Sequence, residues 1–255
     1  MANELVSIIM PSYNCGRFMS ETIRSVQAQT YSNWEILFVD DCSADDTESI
    51  VKSFNDSRIR YFKNEKNSGA AVSRNWALRE AKGRWIAFLD SDDLWKPEKL
   101  EKQIRFMEEN DCHFSYTGRD FINEDSQPLH KLVTGPKHIT KRGMFNFCWV
   151  GCLSVMYDAN VIGLIQIVDI KKNNDYALWL KTIKKADCYL LNENLASYRV
   201  RNGSISNQSY LKLIKWHYRL FRESEEMGVF ASAYHTIKNL IFGVVKKVFY
   251  TTKLP

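Results

Sequence analysis

One repeating rhythm in the first 110 residues narrows the fold more than any other feature of this chain. Short apolar runs alternate with stretches of helical periodicity. LVSIIM (5–10), WEILFVD (34–40), RIRYF (58–62) and RWIAFLD (84–90) are too short for helices and rich in β-branched and aromatic residues, so they predict four strands. Between them, residues 17–29 place Phe18, Thr22, Ile23 and Val26 on one helical face. DDTESIVKSF (45–54) reads as a second helix, and GAAVSRNWALREAKG (69–83) as a third that Gly83 ends. Pro97 opens a fourth, with Leu100, Ile104 and Met107 on one face. Such alternation predicts an α/β fold, a mostly parallel sheet flanked by helices.

Ligands of such sheets bind outside the carboxyl ends of the strands. Three predicted strands run into PSYN (11–14), DDCS (40–43) and DSDD (90–93), so these polar clusters are expected on one rim. The last is the most demanding. Side chains alternate along an extended strand end, so Asp90 and Asp92 face the same side. Two carboxylates about 4 Å apart repel by about 4 kcal/mol at an effective dielectric of about 20. A divalent cation that prefers oxygen ligands, Mg²⁺ or Mn²⁺, offsets this and keeps positions open for diphosphate oxygens. The competing reading is a polar turn with Asp93 near a helix start.

After residue 115 the rhythm breaks. Residues 118–150 are mixed, with a turn at Gly135-Pro136. LSVMYD (153–158) reads as a strand, and NNDYALWLKTIKKA (173–186) as a helix with Asn/Asp caps at its start. CYLLN and LASYRV read as two short extended pieces, and 209–227 and 233–249 as helices. In the last helix Ile237, Leu240, Ile241, Val244, Val245, Val248 and Phe249 form a stripe, with Lys238, Lys246 and Lys247 around it. The chain's whole excess of Lys and Arg over Asp and Glu lies in residues 210–255. A basic amphipathic helix suits an anionic membrane surface, here through 233–253; packing on the body, or on a second copy, is the alternative.

Six dispersed cysteines without CxxC spacing and five scattered histidines exclude a zinc-finger type cage. Reduced thiols in a cytoplasm are the expectation at this length. MANELVSIIMPSYN has neither the basic start nor the long apolar core of a signal peptide, and no apolar run is long enough to span a bilayer. A cytoplasmic protein, peripheral on the inner face of the cell membrane, is expected. Nucleic acid is not an expected partner: residues 1–209 carry no net positive charge and no recognition motif.

MPSYN (10–14), FVDDCSADDT (38–47), NSGAAVSRN (67–75), FLDSDD (88–93) and NDYALWL (174–180) occur in that order. Together they resemble the family 2 glycosyltransferases of GT-A fold, the Rossmann-like nucleotide-diphospho-sugar transferases. The resemblance is firm over 5–117, patchy to about residue 200, and weak beyond. It implies an inverting transferase that moves a hexose or N-acetylhexosamine from a UDP-sugar to a saccharide acceptor, often lipid-linked, in bacterial surface-polysaccharide assembly of the O-antigen or capsule type. It implies a catalytic domain over 1–208, with a nucleotide-sugar half (1–117) and an acceptor half (118–208), followed by the helical extension 209–255.

Residue by residue, the resemblance places Pro11, Tyr13 and Asp41 around the nucleobase and Arg74 near the nucleotide. Asp90 meets ribose or metal, Asp92 is the main metal ligand, Asp93 assists, and Asp175 is the general base. The chemistry agrees. A carboxylate accepts the one ring N–H of uracil, a tyrosine ring offers a stacking face, and a base must take the acceptor hydroxyl proton. Plainer readings stand beside these: a turn residue for Asp41, a surface arginine for Arg74, a helix cap for Asp175, and a core residue rather than an acceptor floor for Trp179. Two departures from the family pattern bear on function. Asn174 stands where an acidic residue usually precedes the base. Arg201 stands where many relatives carry a metal-binding histidine two residues after the Tyr-Arg pair; arginine ligates no metal but can clamp a diphosphate. The rival functions are transfer to a polyprenyl phosphate and a catalytically silent nucleotide-sugar-binding module.

Overall fold

A computed structural model describes residues 3–201 and 210–254. The four predicted strands form as β1 (Val6–Ser12), β2 (Trp34–Asp40), β3 (Ile59–Lys63) and β4 (Trp85–Phe88), all parallel, in the order β3-β2-β1-β4. Every residue of β1, β2 and β4 is buried, because helices cover both faces; this is why their sequences are nearly continuous in apolar residues rather than alternating. The helices are α1 (Gly16–Gln27), α2 (Thr47–Ser53), α3 (Ala70–Glu80) and, after the short strand β5 (Leu94–Trp95), α4 (Lys99–Glu109). Successive strand residues feed opposite cores. Ile8, Met10, Ile36 and Phe38 pack with Ile23 of α1 and Ile104 of α4, whereas Ile9, Leu37 and Val39 pack with Ala77 and Leu78 of α3.

Helix α3 ends at Glu80, three residues before the glycine expected to stop it. Gly83 serves a different need. A Cβ there would lie 2.5 Å from the Leu5 carbonyl oxygen and 2.6 Å from the Ser7 nitrogen, so only glycine lets the chain pass this close to β1.

The second half of the sheet is antiparallel except where its last long strand, residues 188–199, pairs in parallel with residues 114–122. β6 (Phe114–Ile122), β7 (Pro128–Val133), β8 (His138–Ile139), β9 (Val155–Asp158) and β10 (Cys188–Arg199) extend it past β4 in the order β4-β9-β6-β7, with antiparallel neighbours. The stretch read as mixed therefore contains two strands, β7 being hidden from pattern reading by its exposed, polar positions. CYLLN and LASYRV are one strand, β10. Its pairing with β6 slips between Leu191 and Ala196, where Asn192, Glu193 and Asn194 interrupt the apolar pattern. Helices α5 (Lys141–Asn146), α6 (Ala159–Ile162) and α7 (Asn174–Thr182) complete this half.

Helix α8 (Tyr210–Arg219), a π-helical turn over Leu220–Ser224, and α9 (Val229–Phe249) follow; β11 (Thr251–Lys253) then pairs antiparallel with β7. The expected domain limit at 208 falls outside the described residues. Helix α9 seats its polar side on the body. Ser232, Thr236 and Asn239 are buried, and Asn239 Nδ2 donates to the Tyr176 hydroxyl at 3.2 Å. Lys246, read from sequence as part of the basic surround, is turned inward instead and donates to the Trp149 carbonyl at 2.5 Å. The apolar stripe divides: Leu240 and Val245 are half-buried, while Ile237, Ile241, Val244, Val248 and Phe249 stay exposed. Among the described residues no helix is long and apolar enough to cross a membrane.

Candidate active site

The strand order 3-2-1-4 changes direction beside β1, which opens a crevice above the carboxyl ends of β1 and β4. The polar clusters meet at that rim. Pro11 is buried near the end of β1, paired with Val39, and Tyr13 just beyond it is 48% exposed, its ring open to a stacking partner. Asp41 follows β2. Its buried carboxylate accepts from Asn64 Nδ2 (2.6 Å) and the Ser68 amide (2.8 Å) on Oδ1, and from the Gly69 amide (2.7 Å) on Oδ2. Asp41 thus fixes the loop that leads into α3, where Gly69 adopts φ +90°, and Oδ2 keeps a lone pair for a further donor. Its neighbour Asp40 is fully buried and committed to Ser43 and Tyr61.

The DSDD segment is an ion-pair network. Asp90 Oδ1 pairs with Arg74 Nη2 at 2.5 Å, and the other Arg74 nitrogen, Nη1, donates to the Asn174 side chain. Arg74 is therefore no surface arginine: it is 6% exposed and ties the end of β4 to the start of α7. Burial works against its charge, and Asp90 foremost overcomes that, holding the guanidinium above its ordinary value. Its Nε is buried without a partner. Asp92 Oδ2 pairs with Arg201 Nε at 2.8 Å. Burial raises the Asp92 carboxyl, with Arg201 opposing the rise and Asp90 adding to it. Asp93 is buried and accepts from the Arg199 amide at 2.8 Å; burial and then the fields of Asp92 and Asp90 push it well above the usual carboxylate range. Arg199 itself is structural. Its buried guanidinium binds the carbonyls of Asp92, Asn123 and Glu124, the Ser126 hydroxyl and the Glu21 carboxylate.

Asp175 stands in the first turn of α7. Asn173, the residue at the N-cap, is left-handed (φ 58°) and caps nothing with its side chain, and Asn174 is engaged by Arg74. Asp175 is not the N-cap. One of its oxygens accepts from the Tyr176 amide at 2.8 Å, and no described residue occupies the other. Trp179 belongs to the core, fully buried and edge-on to Phe88 with ring centroids 5.0 Å apart.

A divalent cation fits this donor set. Asp90 and Asp92 each have a carboxylate oxygen outside their ion pairs, and hard oxygen donors suit Mg²⁺ and Mn²⁺. Among the described residues no three His, Cys, Asp or Glu form a closed cage, so remaining ligands would come from substrate and water. Sequence reading gave no role to Arg119 on β6 and placed Lys246 of α9 in the basic surround of the apolar stripe. Arg119 lies in the stretch without clear periodicity, and Lys246 looks from its spacing like one more surface lysine.

The model of the family "Glycosyl transferase family 2" matches residues 7–153. The chain belongs to that family. It is 44% identical over 226 residues to TuaG of Bacillus subtilis, a putative teichuronic acid biosynthesis glycosyltransferase, covering 88% of this chain and 89% of that one. It is 39% identical to WfgD of Escherichia coli, a UDP-Glc:alpha-D-GlcNAc-diphosphoundecaprenol beta-1,3-glucosyltransferase, over 98% of this chain and 97% of WfgD. Among solved structures, the 1–349 segment of S. aureus TarS with UDP-GlcNAc superposes with a TM-score of 0.73 at 21% identity, over 92% of this chain and 71% of that one. That likeness establishes the GT-A type of fold for the family 2 chain described here.

Proposed function

We propose that this glycosyltransferase moves a hexose or N-acetylhexosamine, with inversion, from a UDP-sugar to a lipid-linked saccharide in surface-polysaccharide synthesis. The observation that carries this reading is the buried Arg74, which joins Asp90 at the donor end of the crevice to Asn174, next to Asp175. Donor and base then face one reaction space. The activity of WfgD supports the UDP-sugar donor and the lipid diphosphate acceptor.

In this mechanism Pro11, Tyr13 and Asp41 hold the base of UDP, Asp41 Oδ2 taking the ring N–H. Asp90 and Asp92 would hold Mg²⁺ or Mn²⁺, with Asp93 fixing their backbone; when bound, the cation would supply positive charge for the leaving diphosphate. Arg74 and Arg201 add positive charge at the same place. The unengaged oxygen of Asp175 takes the proton of the acceptor hydroxyl while the acceptor oxygen attacks the anomeric carbon on the face opposite the diphosphate; the bond from that carbon to the diphosphate oxygen breaks, UDP leaves, and the centre inverts. Residues 1–208 form the catalytic domain in this reading, and 209–255 an extension that rests on an anionic membrane surface on the cytoplasmic side. The exposed face of α9 and its basic neighbours Lys141, Arg142 and Lys238 support the last point.

The test is UDP release from a panel of UDP-sugars with Mn²⁺ or EDTA, using saccharides on a lipid diphosphate as acceptors. Acceptor-stimulated release from one donor, lost in EDTA, is expected. Asp175→Asn should lower kcat about 10²–10⁴-fold and leave UDP binding intact. Full turnover in that variant sinks the base assignment.

A further inference from the structure

Two half-buried cations, Arg119 and Lys246, flank one segment of the second half of the fold, and among the described residues neither pairs with a carboxylate. Arg119 projects from β6, in register with Val133 of β7 and Ala196 of β10. Its guanidinium lies against Gly151, where a Cβ would sit 2.5 Å from Cζ. Among the described residues its guanidinium makes no hydrogen bond or ion pair, and its nitrogens are not closed off from solvent. Lys246 of α9 meets the same segment, donating to the carbonyls of Trp149 (2.5 Å) and Cys148 (3.3 Å), with Nζ 5.3 Å from the Phe147 ring centroid. All of these partners are neutral. Residues 147–151 are thus flanked by two charges of one sign.

The electrostatics agree with the contacts. Burial, then repulsion from Arg119, pulls the Lys246 amine down to about 7. Burial pulls Arg119 down as well, and the fields of Cys148 and Asp93 only partly restore it. The Cys148 thiol, pushed up to about 12 by burial first, is raised further by Asp175. Arg119 thus feels the field of Asp93, and Cys148 beside it feels that of Asp175.

A partly buried charge without a counter-ion is unfavourable, and two of one sign near each other more so. Such a pair is stable in a working site when an anion joins it. A phosphate matches both partners, taking a forked hydrogen bond from arginine and a point charge from lysine. The donor diphosphate already has Arg74 and Arg201 at Asp90 and Asp92. Lys246, by contrast, belongs to the helix whose opposite side is an exposed apolar stripe, the side that faces the lipid in the proposed membrane association. We propose that Arg119 and Lys246 bind the diphosphate of a lipid-linked saccharide acceptor and so hold its sugar toward Asp175. This rests on the glycosyl-transfer reading and adds the residues that select the acceptor.

The experiment compares two acceptors with the full chain at saturating UDP-sugar: GlcNAc joined to an alkyl chain through a diphosphate, and GlcNAc on the same chain through a glycosidic oxygen. In Arg119→Gln and in Lys246→Gln the ratio of kcat/KM, diphosphate acceptor over plain glycoside, should fall at least about tenfold, with donor KM unchanged. Arg119→Lys should recover part of the ratio. Lys246→Gln, on a helix held at many other points, carries the test where Arg119→Gln fails to fold. An unchanged ratio, an equal loss on both acceptors, or a rise in donor KM alone overturns the proposal while leaving glycosyl transfer standing. UDP release from neither acceptor by the wild-type chain removes the transfer reading and this proposal together.

Discussion

Arg201 and Lys99 show how single side chains set local chemistry here. Arg201 pairs with Asp92, one of the two carboxylates proposed to hold the cation, so guanidinium and cation would contend for it. A partly exposed pair of this kind is worth about 1 kcal/mol. Arg201→Ala should therefore lower the Mn²⁺ concentration for half-maximal UDP binding about fivefold, measured by calorimetry; an unchanged value shows that the pair does not compete with metal. Lys99 is fully buried, its Nζ bonded to Gln103 Oε1 at 2.8 Å and lying 4.2 Å from the Trp95 ring centroid. With no carboxylate at hand, burial lowers its amine from 10.5 to about 7. The unfolded chain then holds this proton more tightly than the folded one. Its contribution to stability is present above pH 10.5 and is lost as pH falls to about 7. Relative to wild type, Lys99→Met should gain in melting temperature between pH 10 and pH 7. A pH-independent difference would refute a burial-shifted amine.

The end of β10 governs how the crevice is assembled. Arg199 closes β10, and its backbone and side chain together bind Asp93, Asp92, the β6–β7 turn and Glu21 of α1. It thereby holds the DSDD segment from behind while Arg74 and Arg201 hold it from the crevice. Removing one side of such a buried charge network costs about 3–5 kcal/mol. Arg199→Ala should lose that much in denaturant unfolding, and Arg199→Lys nearly as much, since a point charge cannot serve a forked set of acceptors. A loss below about 1 kcal/mol would show that the remaining contacts position the segment without it.

The assembled molecule presents α9 with its polar side inward and Phe230, Ile237, Ile241, Val244, Val248 and Phe249 outward. An exposed apolar helix face is a candidate contact site, and the proposed occupant is an anionic lipid surface beside the basic residues. The chain should co-sediment with phosphatidylglycerol vesicles more than with phosphatidylcholine vesicles. Ile241→Glu with Val248→Glu should abolish this without lowering the melting temperature, because both side chains are exposed. Equal binding by that double variant would assign the face to another contact.

The parallel half of the fold could be read from the chain because its strands are buried on both faces and its helices repeat a local period. The place of the rim acids could be read for the same reason, since Asp41 follows β2 and Asp90 and Asp92 lie in the loop that leaves β4. Beyond residue 115 the order of strands depends on pairing between segments distant in sequence, and neither the polar β7 nor the interrupted β10 carries a period that announces it. Whether Arg74 is a surface residue, whether Arg201 faces phosphate or Asp92, and which side of α9 turns inward are questions of contact. Spacing along the chain places each residue on its element. Only packing selects the neighbour that its charge meets, because the energy of a buried ion depends on what surrounds it rather than on its place in the sequence.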